Sequence, residues 1–128
     1  MLQITDLCCG YGDVTVLRDI NFELEDGGTL ALVGSNGAGK TTLLMSIAGH
    51  ITPKSGQVRL NGVALVNKEP EMRCGLGVGL VPEGRRIFPD LSVFENLVVG
   101  GYSRPSNNQS ESMARVFEVF PRLFDRKN

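Results

Sequence analysis

The residues whose types and spacing most clearly indicate a binding site form a glycine-rich segment at positions 34–41, called here the phosphate loop. The segment matches G-x-x-x-x-G-K-[ST], in which glycines let backbone N–H groups turn inward to form a nest for phosphate oxygens. In such a loop Lys40 places its ammonium between the β- and γ-phosphates, and the Thr41 hydroxyl ligates the bridging Mg²⁺. The candidate ligands are Gly34, Ser35, Asn36, Gly37, Ala38, Gly39, Lys40, Thr41 and Thr42. We therefore predict a phosphate-binding site.

Such a loop must be held between a strand and a helix. The apolar run at 29–33 predicts a strand buried on both faces of a sheet. After the loop, apolar residues recur on one face of a predicted helix, which Gly49 ends. These apolar residues are Leu43, Leu44, Ile47 and Ala48. The following helix would add its free N–H groups and the positive end of its dipole to the phosphate site.

Alternating apolar residues predict further strands around the loop. Alternation near Leu2 and Ile4, over 20–24 and over 57–61 is typical of half-buried strands. Asn61-Gly62 predicts a two-residue hairpin, so this part of the chain is expected to be partly antiparallel. A second apolar strand is predicted at 78–81, and Pro82 would end it.

The last third of the sequence predicts helices. Ser92 and Glu95 form a capping-box pattern, so a helix is expected over 93–99, ended by Gly100-Gly101. Its expected inward residues are Phe94, Leu97 and Val98. The polar stretch at 103–110 is interpreted as a linker. A last amphipathic helix, stopped by Pro121, is predicted from Met113, Val116, Phe117 and Phe120. No further element is expected among the charged residues after Pro121.

Composition narrows the class of protein. The chain has 128 residues, 41% of them hydrophobic, and a net charge of −1. We therefore expect one globular domain and no nucleic-acid partner.

Cys8, Cys9 and Cys74 are interpreted as small buried hydrophobic residues rather than a disulfide or zinc set. The sequence contains neither a signal-peptide pattern nor an apolar run of membrane-spanning length, so we expect any membrane connection to go through a partner.

Segments on both sides of the loop resemble the ATPases of ATP-binding cassette (ABC) transporters, over nearly the whole chain. Tyr11-Gly12 and Val16-Leu17 resemble the adenine-stacking segment of that family, and Tyr11 precedes Lys40 by 29 residues. The segments 52–58, 60–62 and 118–123 also resemble the family. Segments 81–89 and 91–97 are similar to its glutamine loop and to the segment after that loop. The form Pro-Glu-Gly-Arg-Arg-Ile-Phe-Pro resembles the ATP-binding subunits of branched-chain amino acid importers and their urea and amide relatives.

The resemblance implies an α/β fold, a P-loop NTPase of ABC-ATPase type with an N-terminal antiparallel β portion. It implies that Tyr11 stacks on the adenine of ATP, that Val16 packs nearby, and that Glu83 reaches the Mg²⁺ and the attacking water. The implied partners are membrane permease subunits and a second ATPase subunit. The implied location is cytoplasmic, on the inner face of the cell membrane.

Glu83 departs from the family pattern, because most relatives have glutamine there. A carboxylate can bind a cation or accept a proton, but it lacks the neutral donor of an amide. The alternative is an exposed loop acid without a role. Arg85 and Arg86 are interpreted as a solvated pair, with contact to a partner as the alternative.

Three features of the family are missing from this sequence. No acid follows an apolar strand at a Walker B position, no Leu-Ser-Gly-Gly signature occurs, and His50 precedes the switch-histidine position and is read as an exposed helix-end imidazole. We therefore expect residues 1–128 to be the N-terminal part of one ATPase domain, inactive alone and able to self-associate through exposed strand edges. The alternatives are a non-catalytic nucleotide-binding module and a small free-standing kinase with Glu83 as its metal-side acid.

Overall fold

The computed structural model describes residues 1–84, 86–102 and 109–127 of the chain and divides into two compact units. The first unit, Met1–Leu80, contains a sheet and two helices. The second unit, Val81–Asn128, contains three helices within its described part. Among the described residues, no helix is both long enough and apolar enough to cross a membrane.

The sheet of the first unit is antiparallel, as the alternating pattern and the hairpin predicted. Its strands are β1 (Leu2–Tyr11), β2 (Val14–Leu24), β3 (Ser55–Leu60) and β4 (Val63–Ala64), in the spatial order β2-β1-β3-β4. The two-residue turn between β3 and β4 is confirmed, with Asn61 and Gly62 at φ 49° and 79°. Positive φ at both central residues is the geometry that matches the twist of the flanking strands.

A bulge in β1 changes which residues face the core. Ile4, Leu7 and Cys9 are all buried, although strict alternation would place Ile4 and Leu7 on opposite faces. Between them Asp6 adopts φ 48°, and the register with β2 shifts. The Asn21 side chain secures this kink, because its Oδ1 accepts from the Asp6 backbone N–H at 2.9 Å and its Nδ2 donates to Asp6 Oδ1 at 3.0 Å. The bulge therefore keeps a continuous apolar face on β1.

Helix α1 (Lys40–Ala48) packs against this apolar face. Its predicted end is confirmed, since Gly49 adopts φ 94° and donates its N–H back to the last turn of the helix. Leu43 is buried as predicted, whereas Leu44 is 45% exposed and lies outside the core. The core cluster consists of Ile4, Leu7, Cys9, Leu17, Leu43, Val58 and Leu65.

Two predicted strands are absent. Segments 29–33 and 78–81 have no ladder partner in the described part of the chain, and Val33 and Val81 are 93% and 95% exposed. An apolar run becomes a buried strand only when neighbouring strands accept and donate its backbone hydrogen bonds. No described strand occupies those positions, so the predictions of a buried strand at 29–33 and of an apolar strand at 78–81 are wrong for this structure.

The cysteines only partly match the interpretation made from sequence. Cys9 is fully buried in the core, as expected of a small hydrophobic residue. Cys8 is half-buried, with its Sγ 3.6 Å from Asp19 Oδ1. Cys74, which lies in helix α2 (Pro70–Gly75), is exposed, so the prediction of burial is wrong at that position. Helix α2 itself was not predicted, because six residues are too few for an apolar period to stand out.

The predicted capping box in the second unit is confirmed. Helix α3 (Val93–Gly100) begins where Ser92 Oγ accepts from the Glu95 backbone N–H at 3.2 Å, and Glu95 Oε2 accepts from the Ser92 N–H at 2.8 Å. The hydrogen bond from the Ser92 backbone N–H, followed by that from the Ser92 side chain, favours the carboxylate and lowers the pKa of Glu95.

No described residue of the second unit is buried. Phe94 and Val98, predicted to point inward, are 45% and 42% exposed, and only Leu97 is half-buried. The predicted last helix is α4 (Gln109–Val119). A short helix α5 (Pro121–Asp125) comes after it, which corrects the expectation of no further element; Pro121 begins α5 because the first helical position needs no N–H donor. Residues 103–108 of the predicted linker lie outside the described residues, and 109–110 belong to α4.

Candidate phosphate-binding site

The phosphate loop has the backbone geometry that its glycines predicted. Gly37 and Gly39 adopt φ 85° and 90°, in the left-handed region that disfavours residues with a Cβ. The Ala38 N–H donates to Ser35 O at 3.2 Å and forms the turn, and residues 34–38 are exposed. The loop is therefore a solvent-facing turn whose backbone can approach a ligand closely.

Strand β2 supports the loop from below. A Cβ on Gly39 would lie 2.6 Å from Leu17 Cδ2 and 3.2 Å from Val16 Cγ1, so only glycine allows this approach. Leu17 belongs to the core cluster, which anchors the loop to the sheet. Val16, predicted near the nucleotide, thus lies against the loop.

Helix α1 begins directly at the loop. Its N-cap residue is Gly39, which offers no side chain to cap the first turn, and no acidic residue lies in that turn. The first N–H groups of a helix have no intrahelical acceptor, and they carry the positive end of the helix dipole. This end of α1 is suited to bind an anion.

The Lys40 side chain folds back over the loop. Its Nζ donates to Gly34 O at 2.8 Å and to Ser35 O at 2.7 Å. An ammonium has three donors, so these two bonds leave one hydrogen for a further acceptor. The positive charge therefore lies at the loop, where the sequence motif predicts it.

The two threonines differ in accessibility. Thr41 is exposed at the start of α1, so its hydroxyl can reach an ion outside the helix. Thr42 is 5% exposed, so its side chain is buried and only its backbone N–H could serve a ligand. A hydroxyl is a hard oxygen donor that suits Mg²⁺, which usually keeps several waters and takes few protein ligands beside the phosphates of a nucleotide. The described residues contain no group of three or more His, Cys, Asp or Glu side chains arranged to hold a metal.

Tyr11 lies at the end of β1, on the hairpin that also carries Val16. Its ring is 56% exposed and is paired in register with Val14 of β2. An exposed aromatic ring can stack on a nucleobase. The structure thus places Tyr11, Val16 and the phosphate loop in the first unit.

Glu83 belongs to the second unit, where it is exposed in a turn with Gly84. Its role toward Mg²⁺ stays a prediction from sequence.

Arg86 is exposed with φ 41°, and Arg85 lies outside the described residues. His50 is exposed after the end of α1, as expected.

Arg73 was not predicted from the sequence. It lies in α2, is 1% exposed, and donates hydrogen bonds to four backbone carbonyls of the first unit. Desolvation lowers the pKa of its guanidinium, and the charge of Glu69 opposes this shift. No motif marks a buried arginine in a sequence, because its acceptors are main-chain groups that any residue supplies.

The chain matches the family model described as ABC transporter over residues 17–127, and it therefore belongs to the ABC transporter family. It is 38% identical to the high-affinity branched-chain amino acid transport ATP-binding protein BraG of Pseudomonas aeruginosa, over 98% of the chain and 54% of that protein. It is 35% identical to the probable branched-chain amino acid transport ATP-binding protein LivF of Archaeoglobus fulgidus, over 96% of the chain and 52% of that protein. The chain thus spans about half the length of these relatives.

One further relative is named for the import of a sugar rather than an amino acid. Solved structures of ABC transporter proteins share the fold of this chain. The ribose import ATP-binding protein RbsA of a Ruegeria species is 35% identical over 96% of the chain and 25% of that protein. A solved ATP-binding subunit of an ABC transporter superposes with TM-score 0.84 at 29% identity, over 99% of this chain and 52% of that one. A nucleotide-free ATP-binding cassette, 22% identical, superposes with TM-score 0.78 over 99% of this chain and 57% of that one. The predicted fold class, a P-loop NTPase of ABC-ATPase type, is confirmed.

Proposed function

We propose that this chain binds MgATP as the N-terminal part, residues 1–128, of an ATPase subunit in an ABC importer. The observation that carries the proposal is the phosphate loop itself. It combines left-handed Gly37 and Gly39, the uncapped N-terminus of α1 and the Lys40 ammonium at one turn, whose residues 34–38 are exposed. Backbone N–H donors and one positive charge converging on a solvent-facing turn are suited to the β- and γ-phosphates of a nucleotide.

The residues of the chain would share the work of binding. The N–H groups of residues 34–42 that have no acceptor within the chain donate to phosphate oxygens, Lys40 neutralises their charge, and the Thr41 hydroxyl holds Mg²⁺. Tyr11 stacks on the adenine and Val16 fills the space beside it. Glu83 would hold the metal and orient the attacking water in the full-length protein. Bound Mg²⁺ would neutralise charge that develops on the phosphates during hydrolysis.

The transported solute is proposed from the relatives. BraG and LivF are branched-chain amino acid transport proteins, which supports an amino-acid importer. RbsA is a ribose import ATP-binding protein, so a sugar is the second candidate. The proposed partners are membrane permease subunits and a second ATPase subunit, and the proposed location is the cytoplasmic face of the membrane. Self-association through exposed strand edges is a further proposal, supported by segment 29–33, which is exposed and has no ladder partner in the described part of the chain.

Binding without turnover is the result expected of this chain alone. Titration calorimetry should give saturable binding of MgATP with one nucleotide per chain, and a phosphate-release assay should give no rate above background. The reason is that the phosphate loop lies in this chain, whereas the sequence lacks the Walker B acid and the signature loop. Absence of binding at millimolar MgATP would contradict the proposed function. Robust hydrolysis would contradict the assignment of the hydrolytic parts to residues beyond this chain.

Replacing Tyr11 with alanine should weaken ATP binding about tenfold and leave tripolyphosphate binding unchanged. Stacking of a base on an aromatic ring contributes about 1–3 kcal/mol, and about 1.4 kcal/mol corresponds to a factor of ten. Tyr102→Ala is the matched control, because Tyr102 is 89% exposed in the second unit. Competition of both ligands with a fluorescent nucleotide measures the two affinities. Equal weakening of tripolyphosphate would assign Tyr11 to the structure of the hairpin instead.

A further inference from the structure

Arg73 is a fully buried cation whose hydrogen bonds converge on backbone carbonyls. Its Nη1 donates to Ser46 O at 2.7 Å and to Ile47 O at 2.9 Å. Its Nε donates to Lys68 O at 2.8 Å, and its Nη2 donates to Val66 O at 3.3 Å. The guanidinium thus joins the end of α1 to the segment between β4 and α2.

The two acceptors on α1 lie at the C-terminal end of the helix. The last four carbonyls of a helix lack intrahelical donors and carry the negative end of its dipole. A cationic donor at this end of the helix supplies hydrogen bonds to the carbonyls and a positive charge to the negative end of the dipole. Burial strengthens its interaction with the carbonyls. Arg73 therefore acts as the C-terminal anchor of α1.

Gly49 makes room for this anchor. A Cβ at that position would lie 2.8 Å from Arg73 Nε and 3.1 Å from Arg73 Cζ, and the φ of 94° also disfavours any other residue. The helix end and the guanidinium therefore fit each other closely.

The opposite end of α1 is the phosphate site. The helix has nine residues, and a helix of that length is marginal in water without tertiary contacts. Its position depends on what holds its two ends. The first is held by Gly39 against Leu17, and the second is held by Arg73.

We propose that Arg73 is a positioning residue for nucleotide binding: by holding the C-terminal carbonyls of α1, it sets where the N-terminal N–H groups and Lys40 meet the phosphates. This rests on the proposed function, since it assigns a further residue to the same site. Arg73 does not touch the nucleotide. It acts through α1, as a rigid element about 13 Å long at 1.5 Å per residue.

The test compares Arg73→Lys and Arg73→Gln with the unchanged chain. Lysine keeps the charge at the end of α1 but cannot also reach the carbonyls of residues 66 and 68 in the same plane. We expect MgATP affinity to fall about threefold in Arg73→Lys and at least tenfold in Arg73→Gln, measured at a temperature where circular dichroism finds each protein folded. Arg59→Gln is the matched control, because Arg59 lies on β3 and donates to Gln57 Oε1 and Gly62 O, away from both ends of α1.

A second measurement uses NMR spectra of the proteins without nucleotide. Compared with the unchanged chain, the amide resonances of Gly39, Lys40 and Thr41 should shift in both Arg73 variants and stay in place in Arg59→Gln. A lower melting temperature with unchanged affinity and unchanged loop resonances would overturn the proposal and leave Arg73 a purely structural residue. If the unchanged chain fails to bind MgATP, the proposed function fails, and the loop resonances still decide whether Arg73 positions α1. If Arg73→Gln does not fold, Arg73→Lys carries both measurements.

Discussion

Replacing Lys40 with alanine is expected to weaken MgATP binding at least a hundredfold. The ammonium lies at the loop, and its remaining hydrogen would make a charge-assisted hydrogen bond to phosphate, worth about 1.5–3 kcal/mol. Loss of about 3 kcal/mol corresponds to more than a hundredfold change in the dissociation constant. The substitution also removes the two bonds that Lys40 makes to Gly34 O and Ser35 O, so part of the loss comes from a looser loop.

The control for this experiment is Lys54→Ala. Lys54 is an exposed lysine of the same unit, and its Nζ donates a long bond of 3.3 Å to Thr15 Oγ1. Both variants lose one positive charge, so a general effect of net charge would affect them equally. Calorimetric titration of both variants at the same salt concentration separates the specific role of Lys40 from this general charge effect. A loss below tenfold in Lys40→Ala would contradict the assigned role, as would an equal loss in Lys54→Ala.

Replacing Gly56 with alanine is expected to destabilise the first unit by more than about 3 kcal/mol, a large share of the marginal stability of a small domain. Gly56 lies in β3 with φ 89°, and a Cβ there would lie 2.3 Å from Asp6 O and 2.6 Å from Leu7 Cα. These neighbours are backbone atoms at the bulge of β1, so no side chain can move aside. The substitution therefore has two costs. Alanine must adopt an unfavourable left-handed conformation, and the backbone of β1 must also move away from the new Cβ.

Gly62→Ala provides the matched comparison. Gly62 also has positive φ, 79°, but a Cβ there would meet nothing within 4 Å. Its expected cost is only that of the backbone conformation, about 1–2 kcal/mol. Urea unfolding followed by circular dichroism gives both free energies of unfolding. Equal losses in the two variants would show that the contact with the β1 backbone contributes nothing.

The predictions of turns and helix ends that the structure confirmed rest on local patterns. The turn at Asn61-Gly62, the end of α1 at Gly49 and the capping box of Ser92 and Glu95 each depend on residues a few positions apart. Backbone conformation and short-range hydrogen bonds decide such features, so the sequence carries them in full.

The predictions that were wrong depend on partners distant in sequence. Segment 29–33 has strand composition, but a strand needs a hydrogen-bonding neighbour that no described segment provides. Phe94 has the period of an inward residue, yet no described residue of its unit is buried. The bulge at Asp6 required Asn21 from another strand, which alternation in β1 alone does not indicate.

The conformation of the phosphate loop and the place of its lysine could be predicted from sequence alone, because glycine conformations and a lysine at a set spacing are local properties of the chain. Tertiary structure decided what supports the loop. It placed Leu17 beneath Gly39, and it buried Arg73 against the end of α1. Both contacts join residues far apart in sequence, and the acceptors of Arg73 are main-chain carbonyls that no residue type identifies. Only the folded chain brings them together.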